Sequence, residues 1–207
     1  MPASPRTCVI DYEMGNIHSV SKALEASGHR VRVVASPEEM AAESPTHLVL
    51  PGVGAFGEGK IRLEQKGWIP VLERWLKENR PFLGICLGMQ LLFERSQEFG
   101  THQGLGFFSG EIIPFDPSRG KVPQIGWNEV VRKGTHPLWT ALPEGPDFYF
   151  VHSYRVRTSD TDLVLGETDY QGLYPSMVGR GRVAAVQFHP EKSQSAGLKL
   201  LENFGGI

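Results

Sequence analysis

The segment Arg80-Pro81-Phe82-Leu83-Gly84-Ile85-Cys86-Leu87-Gly88-Met89-Gln90-Leu91-Leu92-Phe93 leaves little freedom to the chain around it. Phe82 to Ile85 is a short continuous apolar run, as expected of a strand buried on both faces. Glycines two positions either side of Cys86 let the backbone fold back sharply, and a helical pattern starts at once. This Gly-x-Cys-x-Gly arrangement is the cysteine form of a nucleophile elbow, a strained strand-to-helix turn that holds out its central side chain. The helix would turn unpaired N–H groups and positive dipole charge toward the sulfur, and both favour thiolate. On these residues alone an inert core thiol fits as well as a nucleophile, because free cysteine is among the most buried residue types.

A strand buried on both faces needs helices on both sides of its sheet, and the preceding residues supply them. Arg6 to Ile10 reads as a first strand, with Cys8 in the core. Ile17, Val20, Ala23 and Leu24 recur at helical spacing, and Gly28 stops that helix. Val31 to Val34 is a second strand. Ser36-Pro37-Glu38-Glu39 then opens a helix with a capping serine, a first-turn proline and glutamates against the dipole. His47 to Leu50 is a third strand running into Pro51-Gly52-Val53-Gly54-Ala55-Phe56-Gly57, and Trp68, Val71, Leu72, Trp75 and Leu76 mark an amphipathic helix ending near Asn79. Strand and helix alternate up to the elbow, which predicts an α/β fold: an open, mostly parallel sheet with helices on both faces. After Gly100, short β-rich runs take over: Phe108–Pro114, Trp127–Val131, Phe148–Val151, Leu163–Glu167, Pro175–Val178 and Val183–Phe188. They predict an antiparallel extension of the same sheet in the C-terminal half. Leu198, Leu201 and Phe204 give one face of a last helix. No linker or repeat divides the chain, so a single domain over 1–207 is expected, with residues 1–6 as a flexible N-terminal extension.

Composition narrows the function classes. With 40% hydrophobic and 21% charged residues and a formal net charge of −2, the chain lacks the basic footprint of a nucleic-acid binder. Nothing approaches the roughly 18 apolar residues of a membrane span, and no signal-peptide-like segment opens the sequence. Cys8 and Cys86 are the two cysteines; they make no disulfide framework, which fits a reducing cytosol. No metal centre is expected, since zinc-type His/Cys spacing is missing. Gly52-Val53-Gly54-Ala55-Phe56-Gly57 matches GxGxxG, but it follows the third strand, its further glycines suggest a loop rather than an immediate helix, and no acidic residue ends the next strand. It reads better as a loop whose backbone N–H groups can face an anion near Cys86. In a sheet of this kind ligands bind beyond the carboxyl ends of the strands. The Asp11–Asn16 turn, the glycine loop and Cys86 therefore share one crevice.

A thiolate enzyme needs a base, and the base an orienter. Of seven histidines, His18, His29, His102 and His136 read as surface residues, and His47 opens a strand on the far side of the sheet. His189 follows the apolar run Val183–Phe188 and can reach the crevice. Pro190 keeps it extended, and residues two apart in an extended chain share a side, so His189 and Glu191 can act as one unit.

These residues resemble the triad-type, class I glutamine amidotransferases. The elbow Gly84-Ile85-Cys86-Leu87-Gly88-Met89-Gln90 and the downstream His189-Pro190-Glu191 carry that resemblance. Asp11-Tyr12 with Gly15-Asn16, Pro51 to Gly57, Ile125-Gly126-Trp127-Asn128-Glu129-Val130 and Phe150-Val151-His152-Ser153-Tyr154 narrow it to the branch serving imidazole glycerol phosphate synthase in histidine biosynthesis. The resemblance implies a glutaminase without cofactor, in the cytoplasm. Cys86 would be nucleophile, His189 base and Glu191 orienter, with an oxyanion hole from the backbone N–H groups of Val53 and Leu87. It implies glutamine held by Gly52, Gln90, Glu98, Ser153 and Tyr154. It also implies ammonia passed to a cyclase subunit in a heterodimer, with Asn16, Phe56, Trp127 and Lys192 as interface candidates. For Trp127, core packing is an equal expectation.

Overall fold

The computed structural model of the chain describes residues 4–207. The expected N-terminal extension falls partly outside them, at residues 1–3. Its sixth residue, Arg6, is instead the first of a strand, paired with Arg30. The first half runs β1 (Arg6–Ile10), α1 (Ile17–Ala26), β2 (Arg30–Val34), α2 (Pro37–Glu43), β3 (His47–Leu50), α3 (Phe56–Gln65), α4 (Trp68–Lys77), β4 (Phe82–Ile85) and α5 (Leu87–Gln90). The second runs β5 (Phe93–Ser96), β6 (His102–Gln103), β7 (Phe108–Pro114), β8 (Gln124–Glu129), β9 (Val131–Arg132), β10 (Asp147–His152), β11 (Tyr154–Arg157), β12 (Val164–Asp169), β13 (Leu173–Arg180), β14 (Val183–Val186) and α6 (Gln194–Phe204).

An eight-stranded sheet in the order β2-β1-β3-β4-β14-β13-β12-β9 organises these elements. β2, β1, β3, β4 and β14 are parallel; β13, β12 and β9 extend the sheet antiparallel as the sequence predicts, whereas β14, expected within that extension, lies parallel to β4. Successive residues of a strand point to opposite faces. Leu48, Leu50 and Phe82 therefore pack under Trp68, Leu72 and Trp75 on one side. Val49, Leu83, Ile85 and Val186 pack under Leu200, Leu201 and Phe204 on the other. Burying each such side chain contributes about 1.5–3 kcal/mol, which is why the central strands read as unbroken apolar runs.

Some expectations need correction. The β-rich half is not all one sheet: β11-β7-β5-β6 form a four-stranded sheet and β10-β8 a two-stranded ribbon. The cause lies at the elbow. α5 is only four residues long, the chain is extended again by Phe93, and β5 recruits β7 alongside it. The glycine loop does lead almost directly into a helix, because Gly57 and Gly59 are packing positions within α3. A side chain at Gly57 would strike the His102 ring, 2.8 Å away, and one at Gly59 would reach Leu87 at 3.0 Å. His29 is buried rather than exposed, held by Thr7 Oγ1 at 2.7 Å and the Leu201 carbonyl at 2.9 Å. In α6 the buried face is Gly197, Leu200, Leu201 and Phe204, whereas Leu198 is exposed. Among the described residues no helix is long and apolar enough to cross a membrane.

Candidate active site

β4 and β14 are neighbours, with Ile85 opposite Val186, so the residues just beyond them are brought together at the carboxyl edge of the sheet. Cys86 is the first residue past β4. Its backbone sits at φ 53°, ψ −107°, a region that costs a non-glycine residue about 1–3 kcal/mol. The surroundings enforce it. Its N–H donates to the Val186 carbonyl at 2.8 Å, and its carbonyl accepts from Met89 and Gln90 in the first turn of α5. The flanking glycines explain themselves: a β-carbon at Gly84 would stand 2.7 Å from the Gly88 carbonyl oxygen, and one at Gly88 would overlap the Leu50 carbonyl.

His189 arrives from β14, extended at φ −102°, ψ 95°, and its N–H donates to the Tyr149 carbonyl at 2.9 Å. Glu191 returns to it through a single tight turn, Pro190–Lys192, rather than along an extended segment. His189 Nδ1 and Glu191 Oε1 lie 2.7 Å apart, with both side chains almost completely buried. Nδ1 bonded to a carboxylate leaves Nε2 for chemistry, and Nε2 has no hydrogen-bond partner among the described residues. Burial alone would pull the imidazole down. The Cys86 sulfur and the Glu191 carboxylate outweigh it and push the imidazole up to about 10. The second thiol differs: burial raises Cys8 to about 11, so it stays protonated and inert at neutral pH.

A cavity of about 420 Å³ opens on Cys86 and is lined by Val53, Gly54, Leu87, Gln90, Glu98, Ser153 and Tyr154, with Pro123, Val151 and His152. The expected substrate residues thus meet there, except that Gly52 lies behind the wall, buried against the Tyr12 hydroxyl and Leu87. Glu98 does more than line it. Its Oε2 accepts the Phe56 N–H at 2.6 Å, capping α3, which lacks a side-chain cap of its own. Burial raises the Glu98 carboxyl, opposed by that N–H. The Ser153 carbonyl is taken by the Phe115 N–H at 3.0 Å, and the Tyr154 carbonyl accepts from Gln90 and His152.

The expected oxyanion hole is not assembled. The Leu87 N–H donates to the Gly52 carbonyl at 3.3 Å. In a trans peptide the C=O and N–H point in opposite directions, so the Val53 N–H, on the same peptide plane as the Gly52 carbonyl, faces away from Leu87. Tyr12, whose hydroxyl fills the space a side chain at Gly52 would need, is buried without a hydrogen-bond partner among the described residues.

Of the interface candidates, Phe56 is fully buried and belongs to the core: it opens α3 and seats that helix. Asn16 is half-buried at the start of α1. Trp127 is 46% exposed, which removes core packing as its explanation, and its ring meets Tyr149 edge-on at 6.0 Å. The Lys192 ammonium lies 5.8 Å from the same Tyr149 ring. Sequence reasoning passed over Tyr149, which only the β8–β10 register places beside Trp127. It also passed over Gln187, whose Nε2 is 3.6 Å from the Cys86 sulfur. The signal was available: Gln187 shares the strand parity of His189, and it is a polar residue ending an apolar run.

Comparisons with known proteins place these features in context. The family model for glutamine amidotransferase class-I matches residues 8–205. Imidazole glycerol phosphate synthase subunit HisH of Aquifex aeolicus (strain VF5) is 52% identical over 199 residues, spanning 96% of this chain and 95% of that protein. The subunit of the same name from Desulfitobacterium hafniense (strain DSM 10664 / DCB-2) is 46% identical over 197 residues, covering 95% and 92%. Among solved structures, PurLQS from Thermotoga maritima superposes with a TM-score of 0.75 at 18% identity, over 98% of each chain. A crystal structure of a glutamine amidotransferase gives 0.74 at 18% identity, over 97% of this chain and 99% of that one. At such identity the structural likeness speaks to the fold alone.

Proposed function

The chain belongs to the class-I glutamine amidotransferases, and on that premise we propose that it hydrolyses glutamine through Cys86, His189 and Glu191 and hands the ammonia to a cyclase. The observation that carries this reading is the placement of a strained cysteine and a carboxylate-bound histidine at the ends of adjacent strands, β4 and β14.

The Cys86 thiolate attacks the side-chain amide carbon of glutamine, and the carbonyl oxygen becomes an oxyanion. Protonated His189 gives its proton to the departing ammonia, leaving a glutamyl thioester. His189 then takes a proton from water, which attacks the thioester and releases glutamate. Glu191 holds the imidazole by Nδ1 throughout. Gln90 has both amide hydrogens committed to the protein, so its oxygen is the atom that can receive the substrate ammonium, together with the charge of Glu98.

Each oxyanion donor contributes about 3–4 kcal/mol, and here Leu87 donates elsewhere. Rotating the Gly52–Val53 peptide would free the Leu87 N–H and turn the Val53 N–H inward in one movement. That rotation turns ψ of Gly52 and φ of Val53, and Gly54, at φ 98°, can take up the change that follows. A partner that docks on Trp127, Tyr149 and Lys192 and drives this rotation would keep the glutaminase slow until a consumer of ammonia is present. The named relatives are subunits of imidazole glycerol phosphate synthase. The cyclase of that enzyme, which yields imidazole glycerol phosphate and aminoimidazole carboxamide ribotide, is accordingly the proposed heterodimer partner.

The deciding experiment is Cys86→Ala assayed with the cyclase. Glutamine-dependent synthesis is expected to vanish while synthesis from added ammonium salt persists. Loss of both, or persistence of both, overturns the assignment.

A further inference from the structure

We propose that Gln187 is a catalytic residue that donates an amide N–H to the Cys86 sulfur, and that Gln90 fixes which end of that amide faces it. The proposal rests on the reading of Cys86 as nucleophile.

Gln187 is fully buried. It follows β14, with its backbone N–H tied to the Ser176 carbonyl at 2.8 Å. Its side-chain nitrogen stands 3.6 Å from Sγ, within reach of an N–H···S hydrogen bond. The two ends of a carboxamide have nearly the same shape, so the surrounding network must decide which end meets the sulfur. The decision starts at a group that cannot be ambiguous. The Tyr154 carbonyl only accepts, so the end of Gln90 that faces it at 3.2 Å is its NH2. The same nitrogen lies 3.1 Å from the Gln187 amide, and that contact must therefore be to the Gln187 oxygen. The Gln187 NH2 is then turned to the sulfur. A flipped Gln187 would set N–H against N–H at Gln90 and aim a carbonyl lone pair at the thiolate.

The relay divides the work at the sulfur. A neutral amide cannot supply or take a proton at neutral pH, so proton transfer stays with His189. What Gln187 supplies is a fixed dipole that favours negative charge on sulfur. It acts before attack and again when the thiolate departs as the thioester is hydrolysed. Among the described residues, His189, Tyr12 and Tyr174 interact with Cys86, and Glu98, His152 and Tyr154 line the cavity in front of it. Burial pushes the Tyr12 and Tyr174 phenols up, so they remain neutral in the working range.

The test uses the complex with its cyclase and three variants: Gln187→Met, Gln187→Glu and Gln90→Met. Gln187→Met keeps the volume and removes the donor. Gln187→Glu keeps the shape and replaces the donor by an acceptor. Iodoacetamide alkylation of Cys86 is followed by mass spectrometry from pH 5 to 9, with Cys8 as the silent internal control. In Gln187→Met the midpoint of the profile is expected to move up by about one pH unit. Glutamine-dependent kcat should fall on the order of tenfold, with KM changed by less than about threefold. Gln187→Glu moves the midpoint further in the same direction, and Gln90→Met moves it partway by releasing the flip. If Gln187→Met does not fold, judged by its circular dichroism melt, Gln187→Glu decides. A profile that coincides with the parent, whatever happens to kcat, overturns the proposal and leaves a space-filling role for Gln187. If Cys86 of the parent chain does not react with a glutamine analogue bearing a γ-electrophile, the failure lies in the functional reading itself.

Discussion

Glu98 shows how one carboxylate can serve a cavity and a scaffold at once. It lines the pocket at Cys86 and caps α3 from 42 positions away in sequence. Glu98→Ala is expected to lower stability by about 1 kcal/mol, the usual cost of a lost cap, read as a shifted urea midpoint, and also to raise KM for glutamine. Glu98→Gln can still accept the Phe56 N–H. It should keep most of the stability and lose only the affinity that depends on charge. Tyr12 presents the opposite case. Its hydroxyl is buried and unpartnered among the described residues, so Tyr12→Phe removes a group that costs rather than stabilises. The melting temperature is expected to stay level or rise; a clear fall would show that the hydroxyl has a partner after all. Residues with a local sequence signal were legible: Cys86 from its glycine frame, and His189 with Glu191 from the proline between them. The capping role of Glu98 has no such signal, because its partner arrives only through the fold, whereas Gln187 is marked by its parity with His189 but its partner, the Cys86 sulfur, comes from a distant strand.

The strand–turn–helix unit from β4 to α5 depends on two missing side chains. A methyl at Gly88 would collide with the Leu50 carbonyl of β3, and one at Gly84 with the Gly88 carbonyl. Both obstacles are backbone, which cannot swing aside. Gly88→Ala is therefore expected to destabilise by about 3 kcal/mol or more, measured by denaturant unfolding, with soluble yield falling in parallel. The same closeness of backbones explains where element assignment from sequence succeeded and failed. The elbow was readable because its glycines flank a residue of chemical interest. α3 was not, because glycines at 57 and 59 imitate a loop until His102 and Leu87 are known to occupy the space they leave. His29 was misplaced for a related reason: its position after a helix suggests solvent, and only the return of α6 over the sheet covers it.

Across the whole molecule, buried histidines set the response to acid. Desolvation lowers His29, and lowers His47 and His152 to about 4. For His47 and His152, between the ordinary value of about 6.5 and about 4, the unfolded chain binds protons that the folded chain refuses, and His29 adds to this in the same direction. Stability is thus present above about pH 6.5 and lost as pH falls toward 4, with a slope of up to about 1.4 kcal/mol per pH unit for each group. Melting temperatures recorded from pH 7 to 4 should fall steeply, and less steeply in His47→Gln. His189 has the opposite sign. Raised to about 10, its pairing with sulfur and carboxylate supports the fold below its ordinary value and is lost as pH climbs through 10. The junction of β4 and β14 also bears on how the chain reaches this state. Gln187 and Cys86 meet across 101 positions, so the surroundings of the sulfur are complete only after a long loop has closed. Such contacts form late, since loop-closure entropy precedes their reward. During refolding, helical circular dichroism should recover before Cys86 regains its alkylation rate. On the proposed reading of Cys86, its reactivity is then a built-in clock for the last topological step of folding, and a chain stalled before that step would carry a thiol no more reactive than a free one.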